Sequence, residues 1–466
     1  MKLQSFFKKL SDAVSGFFAA CANYFVHFKK GDIITKISYF IMGFGCFCRK
    51  QVVKGLAYLA IQLGYIYFMI TSGVYYISML STLGTMQQGE VWDEALQIYR
   101  IQTGHNSMLL LLFGVFSIFL TILFIAFYFM SVSRAYKNQL LMEQGKHINS
   151  FKDDVRDLLD SKYHITVLSI PVILTVAFTI LPLIFMILMA FTNFDQTHQP
   201  PGNLFTWIGF DNFSKILYQN PRWSATFFKL LFWTIIWAFF ATFLNYILGI
   251  MLAIMINKKG IRIKSFWRTI FVTTIAIPQF VSLLLMSRML LDNGALNNLL
   301  LNLGIIKEAI PFLTNPNVAK VTVIIVNLWV GIPYTMLITS GILMNIPEDL
   351  YEASRIDGAT PVKQFFAITL PYMLHVTTPY LITQFVGNIN NFNVIFLLTG
   401  GGPQSLNLYQ AGETDLLVTW LYKLTTQEQN YALASTIGIV IFMLLSSISL
   451  ITYNMTSAVK EEDTFS

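Results

Sequence analysis

Charge is the scarcest thing in this sequence. Only 12% of its 466 residues are Asp, Glu, Lys or Arg, against roughly 25% in soluble domains. Together with 55% hydrophobic residues and a mean hydropathy of +0.60, that scarcity excludes an ordinary soluble domain and indicates a chain dissolved in lipid. Cysteine is nearly absent too. Cys21, Cys46 and Cys48 all fall in the first fifty residues and supply neither a disulfide framework nor a zinc site. A phosphate loop is also lacking: Gly145-Lys146-His147 comes nearest, but position 140 is Leu and 147 is neither Ser nor Thr. Paired carboxylates, a metal cluster or a nucleophile constellation at one membrane depth are missing as well, so no catalysis and no cofactor are expected.

What is present is a series of long apolar runs. They are continuous rather than alternating, so helices rather than a β-barrel satisfy the backbone in lipid, and the predicted fold class is all-α. A span needs about 20 apolar residues. Eight stretches qualify, roughly 55 to 80, 107 to 131, 165 to 192, 225 to 256, 269 to 290, 320 to 345, 373 to 398 and 431 to 456. Lys and Arg collect in alternate gaps, as cytoplasmic loops require. The segment before the first span carries Lys2, Lys8, Lys9, Lys29, Lys30, Lys36, Arg49, Lys50 and Lys54, the second gap six more from Arg134 to Lys162, and the fourth gap Lys258, Lys259, Arg262, Lys264 and Arg268. The loop after the first span holds Arg100 alone, beside Glu90, Asp93 and Glu94, and is expected to face outward. Both termini then lie inside. The net charge of +7 therefore reads as membrane orientation and not as a nucleic-acid surface.

Four regions follow. In residues 1–50, Leu3, Phe6, Phe7, Leu10, Ala13, Val14, Phe17 and Phe18 keep helical spacing with lysines between them, which predicts an amphipathic helix on the inner leaflet. Lys8, Lys9 and Asp12 interrupt the apolar core that a signal peptide would need. Residues 51–164 hold two spans and a polar connector, 165–456 a six-span block, and 457–466 a cytoplasmic tail.

The spans contain no Asp or Glu, while Lys229 and Arg288 lie near ends where they can snorkel. An ion-coupled carrier usually needs an intramembrane carboxylate, so a neutral cargo fits better. The seventh span is the exception to apolarity, with Gln384, Gly387, Asn388, Asn390, Asn391 and Asn393 within ten residues. Gln384, Asn388 and Asn391 fall at i, i+4 and i+7, one face of a helix. Amides match sugar hydroxyls without imposing charge, although they can equally bond to neighbouring helices. Pro278 and Gln279 are expected to interrupt the fifth span, and Trp329-Val330-Gly331-Ile332-Pro333-Tyr334 the sixth. Broken helices near mid-membrane are where transporter sites form. Tyr334 can stack on a sugar ring or simply pack.

The gap between the sixth and seventh spans is punctuated. Pro347 suits a helix start, Glu348 and Asp349 complement its dipole, and Gly358 suits the left-handed turn that stops it. Thr360 and Pro361 then cap and start a second helix, which Pro371 is expected to interrupt. The run Glu352-Ala353-Ser354, Gly358 and Ile368-Thr369-Leu370-Pro371 resembles the EAA motif of binding-protein-dependent ABC permeases, with Ser354 in place of a second Ala. The resemblance implies that the first short helix is a coupling helix on an ATPase subunit. Glu352 would contact that ATPase, Leu350 and Ala353 would pack into its cleft, Gly358 would make the turn, and Ser354 and Asp357 would complete the loop. Among such permeases the likeness is closest to those of maltose and maltodextrin importers, over roughly residues 165 to 456. It runs through Ile275-Ala276-Ile277-Pro278, the run from Val326 to Tyr334, Asn390-Asn391-Phe392 and Leu398-Thr399-Gly400-Gly401-Gly402-Pro403. It implies a sugar site built from Gln279, Val330, Gly331, Tyr334, Gln384, Gly387, Asn388 and Asn391. Gln279 and Gln384 stand where the enterobacterial pattern has serines, and Gly387 where it has an aromatic residue. The gap from 193 to 224 is also shorter than in that pattern, where it holds a folded domain. The partners implied are a second permease subunit, two ATPase subunits, an extracytoplasmic sugar-binding protein, membrane lipid and an oligosaccharide, maltodextrin-like, galactan-derived or cyclic, at a bacterial plasma membrane.

Overall fold

A computed structural model describes residues 24–258 and 260–455; the amphipathic helix expected at residues 3 to 18 lies outside them. Among the described residues, helices long and apolar enough to span a membrane run over Val52–Met79, Ser107–Glu143, Tyr163–Met189, Pro221–Asn257, Pro316–Leu343, Pro361–Leu398 and Tyr431–Asn454. Two further helices, Lys264–Ala276 and Gln279–Met289, meet at 88° and make one broken span. Counted that way, the eight predicted spans are all present. Their large side chains point outward in numbers that water would not tolerate, with Phe178, Phe232 and Phe442 each about two-thirds exposed or more. In lipid such a face has no hydrophobic penalty. The all-α expectation holds except for a two-stranded hairpin after the first span, Gly89–Asp93 paired antiparallel with Ile98–Gln102.

The chain divides into two compact units, Met1–Leu188 with Thr197–Trp207, and Met189–Gln196 with Ile208–Ser466. The third span thus belongs, up to Leu188, to the first unit. In that unit the second span does not stop near 131 but continues to Glu143, because its polar end is given partners. The buried Arg49 guanidinium donates to the Ala135 carbonyl at 2.6 Å and to Asp32 at 2.7 Å. Ser131 and Gln139 accept from the backbone N–H groups of Gly43 and Asp32.

In the second unit the fourth and sixth spans approach so closely that a methyl group on Gly249 would stand 2.7 Å from Thr335, the small-residue contact by which membrane helices pack. Fully buried Trp237 and Trp420 anchor the core; their ring N–H groups donate to the carbonyls of Asn388 and Tyr409.

Each proline in this unit behaves according to its neighbours. Pro278 breaks the fifth span as expected, since the residue before a proline avoids the helical region and Ile277 is extended (φ −78°, ψ 126°). The sixth span, by contrast, is one helix from Pro316 to Leu343 with Pro333 inside it, which corrects the expected break at Trp329–Tyr334. The close packing of the fourth span along Gly331–Thr335 holds the helix through the proline, as neighbouring helices do in membranes. Nor does Pro371 interrupt the helix that begins at Pro361, which runs on into the seventh span. The wide π-turn at Phe365–Thr369 lies just before the proline and opens the ladder where the ring would otherwise crowd a carbonyl. The helix is interrupted later, at Asn390 and Asn391, where one segment ends at Ile389 and the next begins at Phe392.

Candidate functional site

A cavity of about 390 Å³ opens where the fifth span breaks. The broken ends contribute Thr274, Ile275, Ile277, Pro278, Gln279 and Ser282. The unbroken sixth span adds Asn327, Trp329, Val330, Gly331, Tyr334 and Thr335, and the seventh adds Tyr380, Leu381, Gln384, Asn388 and Asn391. The fourth span closes the wall with Ala241, Thr242, Asn245 and Tyr246. No acid or base is among these residues, whereas six carry side-chain amides.

Of the residues predicted to hold cargo, Gln279, Val330, Gly331, Tyr334, Gln384, Asn388 and Asn391 come together in this wall. Gly387 does not; it is exposed, and a side chain there would meet nothing within 4 Å. Asn391 reaches the cavity for a reason other than helical spacing. It is the N-cap of the segment beginning at Phe392, with its Oδ1 accepting from the Val394 N–H at 3.3 Å. Asn388 is positioned from two sides, donating to Thr242 Oγ1 at 3.0 Å and accepting from Asn391 Nδ2 at 3.4 Å. The amides of Gln279 and Gln384 make no hydrogen bond among the described residues and are available to a ligand.

The sequence reading missed Asn327, which is 6% exposed, and the whole contribution of the fourth span. The available signal was an amide isolated in an apolar run, as in Leu244-Asn245-Tyr246 and Val326-Asn327-Leu328.

Residues 245–457 match the family described as binding-protein-dependent transport system inner membrane component. The galactooligosaccharides transport system permease protein GanP of Bacillus subtilis (strain 168) is 35% identical over 424 residues, covering 91% of this chain and 97% of that one. The maltodextrin transport system permease protein MalC of Streptococcus pneumoniae serotype 4 is 33% identical over 435 residues, with coverages of 91% and 95%. The chain is a binding-protein-dependent ABC transporter permease. Among solved structures, a bacterial ABC transporter that imports the acidic polysaccharide alginate matches with a TM-score of 0.50 at 26% identity, over 66% of this chain and 97% of that one.

At one end of the permease's seventh span lies the predicted helix–turn–helix. The first helix, Glu348–Ile356, buries none of its residues and exposes Leu350 and Ile356. Glu352, Ala353 and Asp357 are exposed alongside them, and Gly358 turns the chain at φ +74°. Ser354 faces inward instead. Its hydroxyl donates to the Tyr351 carbonyl at 2.9 Å and accepts from Gln364 Nε2 at 2.7 Å, while the Tyr351 and Thr369 hydroxyls lie 2.8 Å apart. The short helix is thereby tied to the start of the seventh span.

At the span's other end, Gly400 and Gly401 take left-handed conformations (φ +60° and +83°) and turn the permease chain into a compact loop. A Cβ on Gly401 would collide with the Asp415 carboxylate, which is fully buried and paired with Lys423 at 2.6 Å. Glu413, from the same loop, accepts from Lys229 at 2.7 Å and Lys320 at 3.1 Å, so Lys229 is an ionic anchor as well as a span-end cation. Burial alone would raise the Glu413 pKa, but the hydrogen bonds from Lys229, Lys320 and Ser405 outweigh it and hold the carboxyl at about 2.

Proposed function

We propose that this permease forms the path of an ATP-driven importer for a neutral oligosaccharide, with the amide-lined cavity as the place where cargo rests in transit. The reading is carried by one observation: a cavity bounded by four spans whose wall holds six amides and four aromatic rings and no charge. Sugars present hydroxyls that both donate and accept, and apolar ring faces that stack on aromatic residues. Tyr334, nearly half exposed, and Trp329 supply such faces. Relatives named for galactooligosaccharide and for maltodextrin transport support the carbohydrate class, and our reading takes a maltodextrin-like chain first and a galactose-built one second.

In this proposal the end bearing Glu348–Ile356 faces the cytoplasm of a bacterial cell and the end bearing Gly400–Leu416 faces outward, as the distribution of basic residues requires. The six spans over 165–456 form the core with a second permease subunit, and the two preceding spans are an addition to it. Leu350, Glu352 and Ala353 dock on one of two ATPase subunits, and the Ser354–Gln364 tie passes movement of the ATPases to the seventh span and so to Gln384, Asn388 and Asn391. A binding protein delivers cargo on the outer side. Hydrolysis takes place on the partners, so this subunit is not itself an enzyme.

The deciding experiment offers a panel of labelled oligosaccharides to the assembled transporter in proteoliposomes with ATP inside. ATP-dependent uptake of maltodextrins or galactooligosaccharides is expected. ATP-independent uptake by the isolated subunit, or no sugar uptake by the complete complex, would overturn the reading.

A further inference from the structure

The fourth span was not expected to touch cargo, yet one of its side chains is unsatisfied at the cavity wall. Asn245 is 7% exposed and directly follows a π-turn, Phe240–Leu244, a helical irregularity that often marks functional positions. Its Nδ2 donates to the Ala241 carbonyl at 2.7 Å, and because only the nitrogen can donate, this bond decides which way round the amide stands. Its Oδ1 is buried and has no hydrogen-bond donor. Gly331 on the sixth span makes room for the group, since a Cβ there would lie 2.6 Å from Nδ2 and 2.8 Å from Oδ1. The lack of a side chain at Gly331 is thus explained by Asn245.

We propose that Asn245 is a specificity-determining residue, whose side-chain carbonyl accepts a hydrogen bond from one particular hydroxyl of the sugar as the fourth and sixth spans shift around bound cargo. This rests on the reading of the cavity as the carbohydrate path. A buried acceptor without a donor is costly, and a site built to pair with a hydroxyl rejects the analogue that lacks it. The proposal therefore concerns discrimination between cargoes and goes beyond binding strength.

The test uses the complete transporter in proteoliposomes, with an oligosaccharide that it imports and the series of its singly deoxygenated analogues. The wild type is expected to import one analogue about tenfold less efficiently, in uptake kcat/KM, than the intact sugar. In N245L, which keeps the branched skeleton of the side chain and removes the acceptor, that penalty is expected to fall to about twofold or less while penalties at other positions persist. Should N245L not assemble, G331A serves instead, because its new methyl group displaces the Asn245 amide and should erase the same single penalty. Equal import of every deoxy analogue by the wild type would overturn the proposal without any variant, as would a penalty pattern unchanged in the assembled variants. Either result leaves the carbohydrate reading standing, whereas failure of the wild type to import any oligosaccharide removes that reading itself.

Discussion

Asn388 shows how a single side chain serves both packing and function. Its amide is held by Thr242 and Asn391 while it lines the cavity. Replacing it with Ala removes two hydrogen bonds, each worth about 1 kcal/mol, and a cargo-facing group together. The expected result is a several-fold to tenfold rise in the KM for sugar uptake, with the complex still assembling, as read by transport kinetics and complex yield. Gly401 is a residue of another kind. Gly401→Ala adds a methyl group inside the Asp415 carboxylate and a side chain to a left-handed position, so a loss of about 2 to 5 kcal/mol is expected, measured by thermal unfolding in detergent. Glu413 carries a pH signature. Because its folded pKa lies at about 2, below the ordinary value of 4.5, the ionic anchor is fully present above 4.5 and fades as pH falls toward 2. Hydrogen exchange in residues 400–416 should be slower in the wild type than in Glu413→Gln at neutral pH, and the difference should close across that acid window. The amides of the seventh span were legible because they are crowded together. Asn245 and Asn327 were not, because a lone amide in an apolar run has the same appearance whether it faces a cavity or a neighbouring helix.

At the scale of elements, the short helix and its glycine turn behave as a lever. A side chain on Gly358 would meet nothing of this chain within 4 Å, so within the permease substitution there acts through the backbone, at φ +74°. Gly358→Val is expected to lower sugar uptake at least tenfold while ATP hydrolysis by the complex persists. Gly358→Asn should fall between it and the wild type, because Asn tolerates the left-handed region and Val does not. Equal uptake by all three would remove the lever. The helix, its acidic start and its glycine stop could be read directly from Pro347 to Pro361, since capping and turn chemistry are local. The tie through Ser354 and Gln364 could not, because it depends on two helices returning to the same place. The same limit explains the prolines: Pro278 and Pro333 look alike in sequence, but only Pro333 is packed against a span with a glycine at the contact.

For the whole molecule, the testable statement is sidedness. In a background without Cys21, Cys46 and Cys48, a cysteine at Glu352 should react with an impermeant maleimide only from the cytoplasmic face, and one at Leu406, almost wholly exposed, only from outside. Labelling of both from one face would invalidate the orientation. The number of spans, the helical class and the punctuation from Pro347 to Pro361 were determined by the sequence on its own, because lipid imposes length and backbone satisfaction on each segment separately and capping chemistry is local. Tertiary structure alone decided that the sixth span passes unbroken through Pro333, that Asn391 reaches the cavity as a cap, that Gly387 stays outside it, and that the fourth span supplies an unpaired acceptor to its wall. The physical reason is that these outcomes depend on which helix lies alongside, and in a bundle held by close packing of small residues a neighbour is known only once the chain has folded.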